Sequence, residues 1–436
     1  ASLVSREFNG PARVLGGAGT GKTVVAMHRS RYLASQVFKK PTDRILFTTF
    51  TKTLAANIRA NLKSLCGPEI DRIEVVHLHS WAVNFLGSHG VKFEVASPEE
   101  VRQCWRDAFS AIGTGEWSEA FIKNEWERVV QAQGINSLEA YLNATRLGLN
   151  VRLNRPQRAA VWEIFDEYKR NMHILGKMEW IDVIRQTRMY LAGKGSLLPY
   201  RAVIVDETQD LHPEDLRLIR LIVPEGANDL FFVGDAHQRI YGRPVVMGQC
   251  GINIKGRSSK LRINYRTTEE IRNWSLAVLN NQSIDDLDGG MDSSQDYRSL
   301  LRGEAPTIRS FPSLSQEKKF IAETIESLRA SGVKLETICL VARTNKQLIE
   351  DYIPGLLNAK IDYLLLNIDT SEDTGEGVRL ATMHRVKGLE FHHVIIAGVN
   401  AGLIPWESSQ KLDDIEQYDS DLQERCLFHV ACTRAR

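Results

Sequence analysis

No apolar run in this 436-residue chain approaches the roughly 18 uninterrupted residues that a membrane-spanning helix needs, so no segment is expected to cross a membrane that way. Cysteine is scarce. The six present (Cys66, Cys104, Cys250, Cys339, Cys426 and Cys432) form neither a CxxC pair nor a metal-binding spacing, so free thiols in a reducing cytoplasm are the expectation. The opening ASLVSREFNG lacks the basic and apolar regions of a secretory leader. Charge of one sign is also missing: the formal net charge is +1, so no global field draws in nucleic acid, and a polynucleotide partner has to be held in a local groove. What remains is the composition of a globular protein, 43% apolar and 25% charged, with length enough for two or three domains.

The most informative stretch is VLGGAGTGKTV at residues 14–24. Gly16, Gly21, Lys22 and Thr23 satisfy GxxxxGK[ST], preceded by a strand-like ARVL and followed by the helical pattern TVVAMHRSRYLASQV, which is the context this motif requires. Across Gly16, Gly17, Ala18, Gly19, Thr20 and Gly21 the backbone N–H groups are free to converge on phosphates. Lys22 reaches the outer phosphates and Thr23 offers its hydroxyl to magnesium. A nucleoside triphosphate site is expected here.

Such a site needs a carboxylate at the end of a neighbouring strand, and AVIVDETQD at 202–210 supplies it. Asp206 is the expected metal residue beside Thr23. Glu207 is then placed to polarise the attacking water, since Asp206 is committed to the metal. Lys22 and Asp206 lie 184 positions apart, far more than a few βα units occupy, so a sizeable insertion is expected between them.

Residues 88–197 read as that insertion and are mostly helical in pattern. Val161, Ile164, Phe165, Tyr168, Met172 and Leu175 share one helical face. Trp105, Trp117, Trp126, Trp162 and Trp180 also fall here and are expected in its core, although a tryptophan is equally able to stack on a base. Lys and Arg outnumber Asp and Glu over residues 140–201, which suits a solvated surface or a face for a phosphate backbone.

Beyond it, LFFVGDAHQRIY (230–241) repeats the form of a strand followed by a polar loop, ending in Asp235 and Gln238, where an uncharged amide reads a γ-phosphate. After residue 260 a second set of strand candidates, TIRSF, TICLVART, VRLATM and HVIIAG, predicts a second α/β domain without its own P-loop. That domain carries Arg266 and Arg434. Each taken singly reads as readily as a salt-bridge residue, yet arginine from a facing domain is how many P-loop enzymes neutralise transition-state charge.

In order, the chain shows GGAGTGKT, FTTFTKTLA, HLHSWA, VDETQD, VGDAHQRIY, NYRT, LVARTN, TMHRVKGLEF and VACTRAR. This series, from residue 13 to residue 436, resembles the UvrD/Rep family of superfamily 1 DNA helicases and translocases. The resemblance implies an α/β fold of two RecA-like P-loop NTPase domains, with ATP in the cleft between them, single-stranded DNA across their top, and a helical insertion in the first. On that likeness residues 1–87 and 198–260 would be domain 1A, 88–197 the insertion 1B, and 261–436 domain 2A. It also implies that Gln238, Arg266 and Arg434 contact the γ-phosphate, that Tyr265 stacks on adenine and that Glu390 binds the ribose hydroxyls. Phe50, Thr51, His79, Ser80, Tyr241, Thr382 and His384 become the positions for the strand. An aromatic platform beside small hydroxyls suits sequence-blind binding, and Phe50 also reads as ordinary core packing.

Four departures qualify the likeness. The upstream glutamine that reads adenine is absent, since only fifteen residues precede Gly16 and none is Gln, which suggests a trimmed amino end. Arg243 stands where the family carries a base-stacking tryptophan; arginine also stacks. Only 115 positions separate Arg266 from Ala381, too few for the family's 2B domain, so translocation is better supported than strand separation. The chain stops directly after the last motif, where a closing strand is expected, so the carboxyl end also looks cut. The sequence thus supports an ATP- and Mg²⁺-dependent motor on single-stranded DNA, with 3′ to 5′ travel implied by resemblance. RNA as the track stays open, as does an ATP-gated module that remodels a repair or defence complex without unwinding.

Overall fold

The computed structural model describes residues 2–146, 151–194, 198–241, 245–279, 282, 284–286, 289–292, 297–366, 375–406 and 414–436. The first sheet is built from β1 (Ala12–Gly16), β2 (Arg44–Thr49) and β3 (Ile73–His77). The insertion follows with a short pair, β4 (Glu94–Val95) and β5 (Lys177–Met178), before the sheet resumes with β6 (Tyr200–Val205), β7 (Leu230–Gly234) and β8 (Ser258–Leu261). The order is β3-β2-β6-β7-β1-β8 with every pairing parallel. β1, β7 and most of β6 are buried on both faces, the reason LFFV and AVIV read as unbroken apolar runs, while β1 carries the buried Arg13 among its apolar residues. Because all strands point one way, Gly16, Asp206 and Asp235, at or just past the ends of β1, β6 and β7, meet along a single carboxyl edge.

A small parallel pair, β9 (Ile263–Thr268) with β10 (Arg298–Leu301), leads into a second parallel sheet. Its strands are β11 (Ile338–Ala342), β12 (Tyr363–Leu365), β13 (Val378–Thr382) and β14 (His393–Ile396), in the order β12-β13-β11-β14. One apolar cluster joins Leu15, Ala236 and Ile240, next to the first sheet, to Val341, Ala381, Val386 and Leu427 of the second region. The two sheets therefore share packing at the edge where the site lies. The expected strand TIRSF does not form: residues 302–311 run without ladder partners among the described residues, and Ile308 is exposed.

The insertion is helical as expected. Ser97 and Glu100 form a reciprocal cap on the helix Pro98–Ile112, and Asn154 with Gln157 does the same for Arg155–Leu175, which Gly176 closes at a left-handed φ of 71°. Trp105 stacks on Tyr168 at 3.9 Å, with Trp126, Trp162 and Phe165 packed around them. Trp117 is partly buried against the same core. Two expectations for this core need correction: Leu175, the last residue of the helix Arg155–Leu175, is exposed, and so is Trp180, the first residue of the next helix, Trp180–Lys194.

A buried ion pair pins the insertion's core. Arg146 donates through Nε and Nη2 to the two oxygens of Glu125, both at 2.8 Å, and the Tyr141 hydroxyl donates to the same carboxylate. Removing the cation leaves a buried carboxylate with one phenol for company. Arg146→Ala is therefore expected to cost roughly 3–5 kcal/mol, read as a lower urea midpoint for the insertion's tryptophan fluorescence. An unchanged midpoint would mean that the site takes up water freely.

Candidate active site and nucleic-acid interface

The glycine loop is shaped as its sequence requires. Gly19 (φ 71°) and Gly21 (φ 80°) lie in the left-handed region, and a Cβ on Gly19 would sit 2.2 Å from Asn264 Oδ1. Gly17 accepts from the Thr20 hydroxyl at 2.9 Å, and Ala18 is buried. The helix Lys22–Tyr32 starts directly after Gly21. Inside the loop the Lys22 ammonium donates to the carbonyls of Gly16 (2.7 Å) and Gly17 (2.9 Å) and faces Asp235 Oδ2 at 3.4 Å. Asp235 was legible only as the end of a strand, because its partner is 213 positions away.

Thr23 Oγ1 donates to Asp206 Oδ2 at 2.7 Å, joining the hydroxyl and carboxylate expected to serve one cation. Burial, reinforced by the neighbouring Glu207, pushes the Asp206 carboxyl up to about 7. An oxygen-only donor pair beside a phosphate cradle suits a hard cation such as magnesium, which takes one or two protein oxygens and keeps phosphate and water for the rest. Among the described residues no cluster of three or more His, Cys, Asp or Glu forms a cage made wholly of protein. Glu207 adopts φ 54°, uncommon outside glycine; its carboxylate accepts from Gln209 and lies 3.8 Å from Lys387.

The second region closes the site. Arg434 is buried, donates to Gln238 Oε1 at 3.0 Å and to the Val430 carbonyl at 2.9 Å, and burial lowers its pKa to about 9. Arg266 donates to Glu390 at 2.7 Å and to the Thr433 carbonyl at 3.0 Å; Arg436 holds the other Glu390 oxygen. Burial pushes the Glu390 carboxyl up, but the two guanidiniums outweigh it and hold it below its usual value. Tyr265 donates its backbone N–H to Gly19 at 2.9 Å, and the residue is 60% exposed beside the loop, open to a flat ligand.

Lys387 was not anticipated. Its ammonium is buried against Asp210, donates to the Gln238 carbonyl at 2.8 Å and lies 3.8 Å from Glu207. Burial disfavours the charge, and the surrounding carboxylates more than restore it. The same ammonium sits 5.6 Å from the Tyr241 ring. One side chain of the second region thus bridges the acidic strand end and an aromatic expected to touch the strand; separation in sequence, 177 positions to Asp210, hid it.

On the expected nucleic-acid face, Phe50 stacks on Tyr241 at 5.1 Å, and Tyr241 lies 5.9 Å from His384. Phe50 also packs against the first core, as its core-packing reading has it. Thr51 caps the helix Lys52–Leu65, and the Thr382 hydroxyl accepts from the Arg385 N–H, so each hydroxyl has a local backbone role. His77 Nδ1 and Ser80 Oγ are 3.4 Å apart. His79 pairs with Asp215 and stacks on Trp180 at 5.2 Å with planes 19° apart. Trp180 is the aromatic that pattern reasoning assigned to the core; its place at the first residue of the helix Trp180–Lys194 was the available signal. Arg243 lies outside the described residues.

A phosphate loop on one parallel sheet, an acidic strand end beside it and arginines supplied from the second region, one on β9 and one just after the last helix, define a P-loop nucleoside triphosphatase of two RecA-like domains. The model of the UvrD/REP helicase N-terminal domain matches residues 2–243, and that of the UvrD-like helicase C-terminal domain matches 259–367 and 357–436. The chain belongs to the UvrD/REP helicase family. It is 26% identical to a probable DNA helicase of Mycoplasma pneumoniae, over 98% of this chain and 79% of that one. It is also 26% identical to the mitochondrial ATP-dependent DNA helicase HMI1 of Saccharomyces cerevisiae and 25% identical to the ATP-dependent DNA helicase PcrA of Staphylococcus epidermidis. Those matches cover 77% and 78% of this chain, which spans about half the length of each, 48% and 47%. No described helix is long and apolar enough to cross a membrane.

Proposed function

We propose that this chain is the motor core of an ATP-dependent DNA helicase that hydrolyses ATP between its two sheets and moves along single-stranded DNA, 3′ to 5′. The observation that carries the reading is Lys387, which touches both the Glu207–Asp210 carboxylates and the ring of Tyr241, so that the hydrolytic and strand-binding sides share one side chain. We assign residues 1–87 and 198–260 to domain 1A, 88–197 to 1B and 261–436 to 2A. The six free cysteines support a reducing, cytoplasmic setting.

In this reading the loop N–H groups of residues 17–23 hold the phosphates and Tyr265 stacks on adenine. Glu390, released from Arg266, takes the ribose hydroxyls. Thr23 and Asp206 hold Mg²⁺, which when bound neutralises charge on the outer phosphates. Glu207 orients the attacking water, Gln238 senses the γ-phosphate, and Arg266 and Arg434 stabilise the charge that develops on it. Release of that phosphate loosens the Arg434–Gln238 contact, and the two domains then shift their grip on the strand through Phe50, Thr51, His79, Ser80, Tyr241, Arg243, Thr382 and His384.

The test is steady-state ATP hydrolysis with DNA and RNA oligonucleotides of equal length. Stimulation by DNA alone supports the reading. A rate indifferent to both would instead favour an ATP-gated module working on a repair or defence protein. Trp180 is assigned to the same platform, and Trp180→Ala should weaken oligonucleotide binding by about 1–3 kcal/mol, roughly 5- to 150-fold in anisotropy titrations. Unaltered affinity would return Trp180 to the role of a packing residue for His79.

A further inference from the structure

Among the buried titratable side chains that the mechanism above leaves unused is His237. It follows β7 and is almost wholly enclosed. Its Nδ1 lies 3.4 Å from Asp235 Oδ1 and 3.6 Å from Asp292 Oδ2, between two carboxylates that are themselves buried. Asp235 Oδ1 also accepts the His237 backbone N–H at 3.1 Å. The other Asp235 oxygen is the one that faces Lys22, and the far oxygen of Asp292 accepts from Lys260. A chain of charges therefore runs from the phosphate loop through Asp235, His237 and Asp292 to Lys260.

We propose that His237 is a positioning residue for ATP hydrolysis: by drawing on Asp235 from behind, it weakens that carboxylate's hold on Lys22 and so sets how readily Lys22 turns to the outer phosphates. This rests on the reading of the site as an ATPase.

The reasoning is electrostatic. Asp235 carries one negative charge shared between two faces, and in a buried setting that charge is poorly screened. When His237 is an imidazolium it offsets the charge from one side, and it also repels the Lys22 ammonium. When His237 is neutral, the full charge of Asp235 bears on Lys22. The remaining groups around the ring do not take over this role. His429, with ring centroids 6.4 Å away, is pushed by burial down to about 4 and stays neutral near pH 7. Tyr297, also 6.4 Å away, is pushed up by burial and stays a phenol. Arg272 lines the adjoining cavity but is held by Glu269. Burial lowers the His237 pKa and the two aspartates more than compensate, leaving it above its usual value. The imidazolium is therefore present below that raised pKa and lost as pH rises through it. Lys22 is freest on the acid side.

The experiment is the pH dependence of KM for MgATP, with kcat measured alongside, in the full chain at saturating single-stranded DNA. In the wild type KM should rise by roughly fivefold or more between pH 6 and 9, a coupling of ordinary size between two sites, while kcat follows a different profile. His237→Asn, whose amide nitrogen stands near the position of Nδ1 without a charge, should show a high KM that no longer varies with pH. Asp235→Asn removes the negative charge that draws on Lys22, leaving the Gly16 and Gly17 carbonyls, and should show a low KM that is equally flat. Opposite displacements with the same flattening are not what general damage would give, and if one variant fails to fold the other decides. A wild-type KM that is flat, or a variant that keeps the wild-type profile, overturns the inference. Absence of any ATP hydrolysis by the wild type would instead overturn the reading on which it rests.

Discussion

Replacing Lys22 by alanine should abolish DNA-stimulated ATP hydrolysis. The side chain is the only Lys or Arg that the loop itself contributes, and the loop's shape serves it: Gly16 and Gly17 turn their carbonyls inward to hold the ammonium at 2.7 and 2.9 Å. No neighbouring cation replaces it, because Arg266 and Arg434 approach from the second domain and Lys387 is occupied by Asp210. The substitution also leaves Asp235 buried with His237 alone, so a loss of stability is expected with the loss of turnover. Thermal unfolding with and without nucleotide separates the two effects. A folded Lys22→Ala protein that still hydrolyses ATP in response to DNA would sink the assignment of the loop as the ATP site.

The second large effect is expected at Arg434. Its guanidinium is fixed by Val430 and Gln238, so it comes to the cleft already oriented. Burial lowers its pKa to about 9, which still leaves it charged near pH 7. A charge that is desolvated and pre-aimed is worth most where charge develops in the transition state and little in the ground state. Arg434→Ala should accordingly leave ATP binding near the wild-type level and depress turnover by roughly 10³-fold or more. Arg434→Lys should recover little, since an ammonium cannot span Gln238 and phosphate as a planar fork does. Loss of binding with unchanged turnover would mean that Arg434 is a structural tether of the last helix.

Both predictions were already legible as residue types in motifs, whereas the contacts that explain their size were not. The GxxxxGK[ST] spacing fixes a backbone shape within eight residues, and apolar runs such as AVIV and LFFV mark buried parallel strands whose ends point to one edge. Helix caps at Ser97 and Asn154 are local in the same way. Even the failed strand TIRSF follows this logic, because strand propensity is local but a ladder needs a partner.

By itself, then, the sequence determined the phosphate loop, the acidic strand end, the helical pattern of the insertion and the order of motifs that marks the family, since each loop, strand end, helix and motif depends on residues within a few positions of one another and their order is read along the chain. Only the tertiary structure decided that Asp235 holds Lys22, that Lys387 reaches Asp210 and Glu207, that Trp180 stacks on His79 and that His237 sits between two aspartates. Asp235 and Asp210 meet their lysines across 213 and 177 positions. Charge and stacking act through space, and no pattern in the chain encodes which distant side chains folding brings within a few ångströms.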